Sequence, residues 1–294
     1  MTAKELRQSL RRGSFVLPFL AIQALALVAM IAEFRIGSAS GASEGSGMLN
    51  VWLLVSSGPF WMIVGIICMV LMPLGGLVLM GQELEEGNHE LLLLTQLNRW
   101  KVVIGKFKTL WGLSAITFVS LLPYVVVRYL VGGVEWWHEA ACATTVLGVS
   151  AMIGAGAIGA SAFQGVGARI AVFFLFIGSM VAGCAIPLAG SAAVTRGCGV
   201  FYHFTAVLAV LCYTLIGLSL ARSRLRIAVM AYEIKPGGMM VGVLVFAPFV
   251  VGLITAITCG FGGFAGLLIT ALVAARIDST RKAPVMVPLP PTVY

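Results

Sequence analysis

The chain is 294 residues long, 60% hydrophobic and only 10% charged, with a mean hydropathy of +1.03. A surface of that composition cannot face water, which excludes a water-soluble globular domain. The formal charge of +8 does not point to nucleic acid, because the basic residues sit at the edges of apolar segments and form no face of a soluble domain.

From the N-terminus, residues 3–13 place Leu6 and Leu10 four apart among Lys4, Arg7, Arg11 and Arg12. This pattern suits a short amphipathic helix lying on an anionic membrane surface. The basic start, the apolar stretch from Ser14 to Phe34 and the small residues Ser38 to Ala42 together imitate a secretory signal. That stretch is long enough to span a bilayer and further segments follow it, so it is expected to remain as the first membrane helix. The others run Phe60 to Met80, Thr109 to Leu130, Ala140 to Gly159, Ile170 to Ala193, Phe201 to Ala221, Met239 to Thr258 and Phe261 to Ala275. They predict an all-α, polytopic transmembrane bundle of about eight helices. Met239 to Ala275 accommodates two short helices around a turn at Gly260 to Gly263, one tilted helix or a re-entrant hairpin. The tail after Ala275 carries Pro284, Pro288, Pro290 and Pro291, the composition of an extended, mobile segment.

With the N-terminus in the cytoplasm, every Lys and Arg except Arg35, Arg128 and Arg196 falls on the inside. The positive-inside rule therefore sets both termini in the cytoplasm. Within the predicted spans only Glu33 and Arg128 are charged, and both lie near outer ends, where they are expected to anchor helices at the headgroups. His138 and His203 flank spans at the same face and read as interfacial polar residues.

Catalytic signatures fail. His89 and Glu90 open a zinc-protease HExxH whose second imidazole is absent, since Leu93 follows. Gly148, Val149, Ser150 and Ala151 approach a serine-protease GxSG, but the last Gly is missing and no His lies inside a predicted helix core to act as base. The six cysteines (Cys68, Cys142, Cys184, Cys198, Cys212 and Cys259) are isolated, without a CxxC pair, which argues against a disulfide framework or a metal site. Gly148, Ala151, Gly154, Ala155, Gly159 and Ala162 make a bare face on the fourth span, against which a neighbouring helix backbone can lie closely. Pro73 and Pro123 can kink the second and third spans.

The cytoplasmic segment between the second and third spans is different. Glu83, Glu85, Glu86 and Glu90 precede Leu91, Leu92, Leu93 and Leu94, then Thr95, Arg99, Lys101 and Lys106, with Gly87 and Gly105 between them. Acids early and bases late match a helix macrodipole, and four leucines in water call for a partner surface. A solvated connector is the plainer alternative.

This segment resembles that of the permease subunits of type-2 ABC transporters, which reads E-x-G-T-x-E-L-L-L-x-T-P-L-S. Here the stretch runs Glu85, Glu86, Gly87, Asn88, His89, Glu90, Leu91 to Leu94, Thr95, Gln96, Leu97 and Asn98. Asn88, Gln96 and Asn98 stand where the family has Thr, Pro and Ser. The resemblance implies a coupling helix at about 83–101 that docks on a separate nucleotide-binding ATPase subunit. It further implies a second permease subunit and export across the cell membrane, with ATP and Mg held by the ATPase. The chain has no GxxxxGK[ST] loop and so no cofactor or ATPase site of its own, and it is expected not to be an enzyme. A membrane scaffold and a secondary carrier are the alternatives. The carrier is disfavoured by the lack of an ionisable group at the midplane and of an internal repeat.

Overall fold

The computed structural model describes residues 13–36, 47–78, 99–132, 135–163, 165–197, 199–229 and 238–277. Its helices are α1 (Gly13–Ile36), α2 (Val51–Ser56), α3 (Pro59–Val78), α4 (Arg99–Gly132), α5 (Trp136–Ser161), α6 (Val166–Thr195), α7 (Val200–Val229), α8 (Met239–Ile257) and α9 (Gly263–Ile277). There is no strand among the described residues. Six of the helices, α3 to α8, are long and apolar enough to cross a membrane. In hydrocarbon no water can satisfy backbone N–H and C=O groups, so apolar runs of this length close their hydrogen bonds internally as helices.

The outer surface agrees with such a solvent. Phe174, Phe246, Phe249 and Leu253 are exposed on α6 and α8, a liability in water but well matched to lipid tails. Between helices, which lipid does not drive together hydrophobically, small residues and hydrogen bonds supply the contacts. α5 is the central element, with 72% of its span buried against 28% for α8. Its bare face receives α7: a Cβ on Gly159 would lie 2.8 Å from the Gly217 carbonyl oxygen, and one on Gly217 2.7 Å from the Ala155 carbonyl carbon. The close backbone approach expected from the glycine and alanine spacing is therefore present.

Side-chain hydrogen bonds tie the other helices. Gln23 of α1 donates to Ser120 of α4 at 2.6 Å, and the Trp111 indole of α4 donates to the Leu147 carbonyl of α5 at 3.2 Å. In α3 the α-helix of Pro59–Gly65 passes through a π-helical turn, Ile66–Leu71, before Pro73. The irregularity expected at that proline is thus a local widening of the helix.

The C-terminal apolar stretch forms two helices around a turn, the first of the arrangements expected from the sequence. α8 packs on α6, α9 on α7, and the two on each other. Their turn uses left-handed backbone at Cys259 and Gly260, φ 50° and 96°. It is pinned by Thr258, whose hydroxyl donates to the Ile254 carbonyl at 2.7 Å and accepts from Gly262 N at 2.7 Å. The turn seats on α6, where a Cβ on Gly260 would lie 2.7 Å from the Gly190 carbonyl oxygen. α9 has 15 residues, about 22 Å at the helical rise. That is shorter than the roughly 30 Å hydrocarbon core.

Candidate functional site

At one end of the bundle the ends of α1 and α4, the start of α5 and the corner between α2 and α3 converge. α1 contributes Glu33, α4 contributes Arg128, and the first turn of α5 contributes His138 and Glu139. The corner is built by Ser57, which caps α2, then Gly58 and Pro59. Gly58 sits at φ 107°, ψ 174°, a region open essentially to glycine, and Pro59 is pre-set for the first turn of α3.

Arg128 is the hub. Its Nε donates to Glu33 Oε1 at 2.7 Å and its Nη1 to Glu139 Oε1 at 2.7 Å. Its Nη2 donates to the Ser57 carbonyl, so all three guanidinium nitrogens are engaged. The Trp61 indole donates to Glu139 Oε2 at 3.0 Å. Ser57 Oγ lies 2.7 Å from His138 Nε2 and 3.4 Å from Cys142 Sγ, and it donates to the Leu53 carbonyl. Arg128 is 2% exposed, Glu33 and Glu139 1% and His138 3%.

This corrects the expectation that Glu33 and Arg128 anchor separate helix ends at the headgroups. They bond each other, and the corner with Trp61 and α5 closes around them, so headgroups do not reach the pair. His138 is likewise buried in the bundle. His203 remains partly exposed, edge-on to the Tyr202 ring at 5.5 Å. Glu139 escapes the sequence reading because the fourth span is predicted from Ala140, whereas α5 begins at Trp136. The available signal is three charges at the same predicted ends of the first, third and fourth spans.

The opposite end carries aromatic and basic contacts. The Arg222 guanidinium of α7 lies 4.8 Å above the Trp100 ring in the first turn of α4 and donates to the Ala275 carbonyl of α9 at 3.4 Å. Arg224 lies 4.0 Å above the Phe163 ring, whose own carbonyl accepts from Arg169 Nε at 2.9 Å. The start of α4 is thereby fixed to α7 and, through Arg222, to α9.

Of the residues expected to dock a partner, Arg99 and Lys106 lie on this first part of α4. Glu83, Glu85, Glu86, Gly87, Glu90, Leu91, Leu92, Leu93, Leu94 and Thr95 fall outside the described residues. So do the membrane-surface residues Lys4, Arg7, Arg11 and Arg12. Ser150 is buried, and its hydroxyl has no hydrogen-bond partner among the described residues. An activated serine requires a bonded base. No group of three His, Cys, Asp or Glu able to hold a metal occurs among the described residues. The chain matches no protein-family model, no curated protein and no solved structure.

Proposed function

We propose that the chain is the permease subunit of an ATP-driven exporter of the type-2 ABC kind, working with a second permease subunit and a separate ATPase. In this reading α1 and α9 complete eight crossings, with both termini in the cytoplasm. The segment from Glu83 to Lys106 docks on the ATPase, and the membrane helices tilt as a rigid body when ATP binds or leaves.

The observation that carries the proposal is the continuity of α4. Its described part, Arg99–Gly132, follows the Glu85 to Asn98 motif in the chain and runs unbroken for 34 residues, about 51 Å at the helical rise. That exceeds the roughly 30 Å of hydrocarbon. A push delivered at the docking segment therefore reaches Arg128, and through it α1, α5 and the α2–α3 corner, along one covalent rod.

The test is co-expression with the ATPase encoded beside it, followed by purification through a tag on this chain. A stoichiometric complex with lipid-stimulated ATP turnover is expected, and the double charge reversal Glu86→Lys and Glu90→Lys is expected to lower both at least tenfold. The coupling assignment fails if no complex forms or if the reversal leaves assembly and turnover unchanged.

A further inference from the structure

Two buried acceptor atoms of the charge cluster have no donor among the described residues, Oε2 of Glu33 and Nδ1 of His138. The Ser57 hydroxyl owns one hydrogen, and the Leu53 carbonyl, able only to accept, takes it. His138 Nε2, 2.7 Å from the same oxygen, is then a donor, and the Cys142 thiol donates to the remaining lone pair. A neutral His138 with its hydrogen on Nε2 leaves Nδ1 bare.

The two carboxylates differ in the same way. Glu139 receives a donor on each oxygen, from Arg128 and from Trp61. Glu33 receives Arg128 on Oε1 and nothing on Oε2. Its carboxyl group lies against Gly58, where the absent side chain makes the room: a Cβ there would lie 3.0 Å from the carboxyl carbon and 3.2 Å from Oε2. One guanidinium neutralises one of the two carboxylates, and a second full charge at such depth is strongly unfavourable. A proton removes it, and a carboxyl oxygen without a donor is where that proton meets least competition.

We propose that the Glu33, Arg128 and Glu139 cluster binds one exchangeable proton, drawn from the side of the membrane that this end of the bundle faces. Loading breaks one O–H bond of a hydronium ion, forms one on the carboxyl group and returns a water. The cluster goes from one net negative charge to neutral. The groups bonded into it are Arg128 from α4, Glu139 from α5 and the Trp61 indole from α3, with His138 and Cys142 of α5 joined through Ser57. Glu135 precedes α5, and Arg35 follows Glu33 on α1. The site does not depend on the transporter assignment.

The full chain in phosphatidylcholine nanodiscs is examined by infrared difference spectroscopy between alkaline and acid buffer. A protonated-carboxyl band is expected on acidification and is lost in Glu33→Gln. Glu33→Gln copies the loaded state, so it is expected to remain monodisperse and to unfold, at neutral pH, no lower than the parent chain. An infrared spectrum unchanged by Glu33→Gln overturns the proposal. A Glu33→Gln chain that does not fold, or that melts lower at every pH, also overturns it, because the carboxylate would then be required in its charged form.

Discussion

Arg128 and Glu33 stand 95 residues apart in the chain and meet at 2.7 Å inside the bundle. Arg128 holds Glu139 at the same distance, so a single guanidinium fastens α1 and α5 to the far end of α4. Breaking a buried ion pair by removing one partner leaves the other charge uncompensated, which is far more harmful than never having had the pair. Arg128→Met is therefore expected to destabilise the membrane domain by about 3–5 kcal/mol. Thermal unfolding in nanodiscs measures it. Arg128→Lys is expected to recover only part of the loss, since an ammonium is a compact point charge and cannot copy the fixed fork of the guanidinium. Full recovery by lysine would show that charge alone matters.

Gly58 is bound to its place twice, by backbone at φ 107° and by the Glu33 carboxyl group that a Cβ would touch at 3.0 Å. Gly58→Ala is expected to cost about 1–3 kcal/mol from backbone strain alone. A melting temperature unchanged by this substitution would contradict the described corner.

The α5–α7 contact predicts a contrast between two glycines. Gly217→Ala drives a methyl group to 2.7 Å from the Ala155 carbonyl carbon and is expected to lose about 1–3 kcal/mol through overpacking. Gly178→Ala on α6 meets nothing within 4 Å and is expected to be neutral or to gain about 0.5–1 kcal/mol from helix propensity. Paired melting curves decide it, and equal losses at both positions would refute the assigned helix contact.

Trp100 and Arg222 form the stacked contact that fixes the start of α4 to α7. A double-mutant cycle of Trp100→Leu with Arg222→Gln is expected to give a coupling of about 0.5–1 kcal/mol. A coupling of zero would mean that the two side chains do not act on each other.

Much of the helical framework was legible in the sequence. The stretch predicted at Ser14 to Phe34 is α1, Gly13–Ile36, and Ile170 to Ala193 is α6, Val166–Thr195. The chief misjudgement of length was α4, expected from Thr109 and observed from Arg99. Lys101, Lys106 and Lys108 lower the hydropathy of its first three turns without breaking the helix. The charge cluster was only partly legible. Glu33 and Arg128 were visible as charges near predicted outer ends, but α1 and α5 are apolar on almost every side. A helix with no marked face gives no sign of which way an isolated charge will point.

The sequence by itself determined that this is a helical membrane protein, because apolar runs of spanning length have one way to satisfy their backbone in lipid. It also marked the bare face of α5, because close helix packing in lipid needs residues without side chains. Only the tertiary structure decided that Glu33, Arg128 and Glu139 share one buried site. That outcome depends on the rotation and neighbours of three helices and on a glycine corner that makes room for a carboxyl group. None of these leaves a periodic trace in the chain, since they arise from contacts between residues dozens of positions apart.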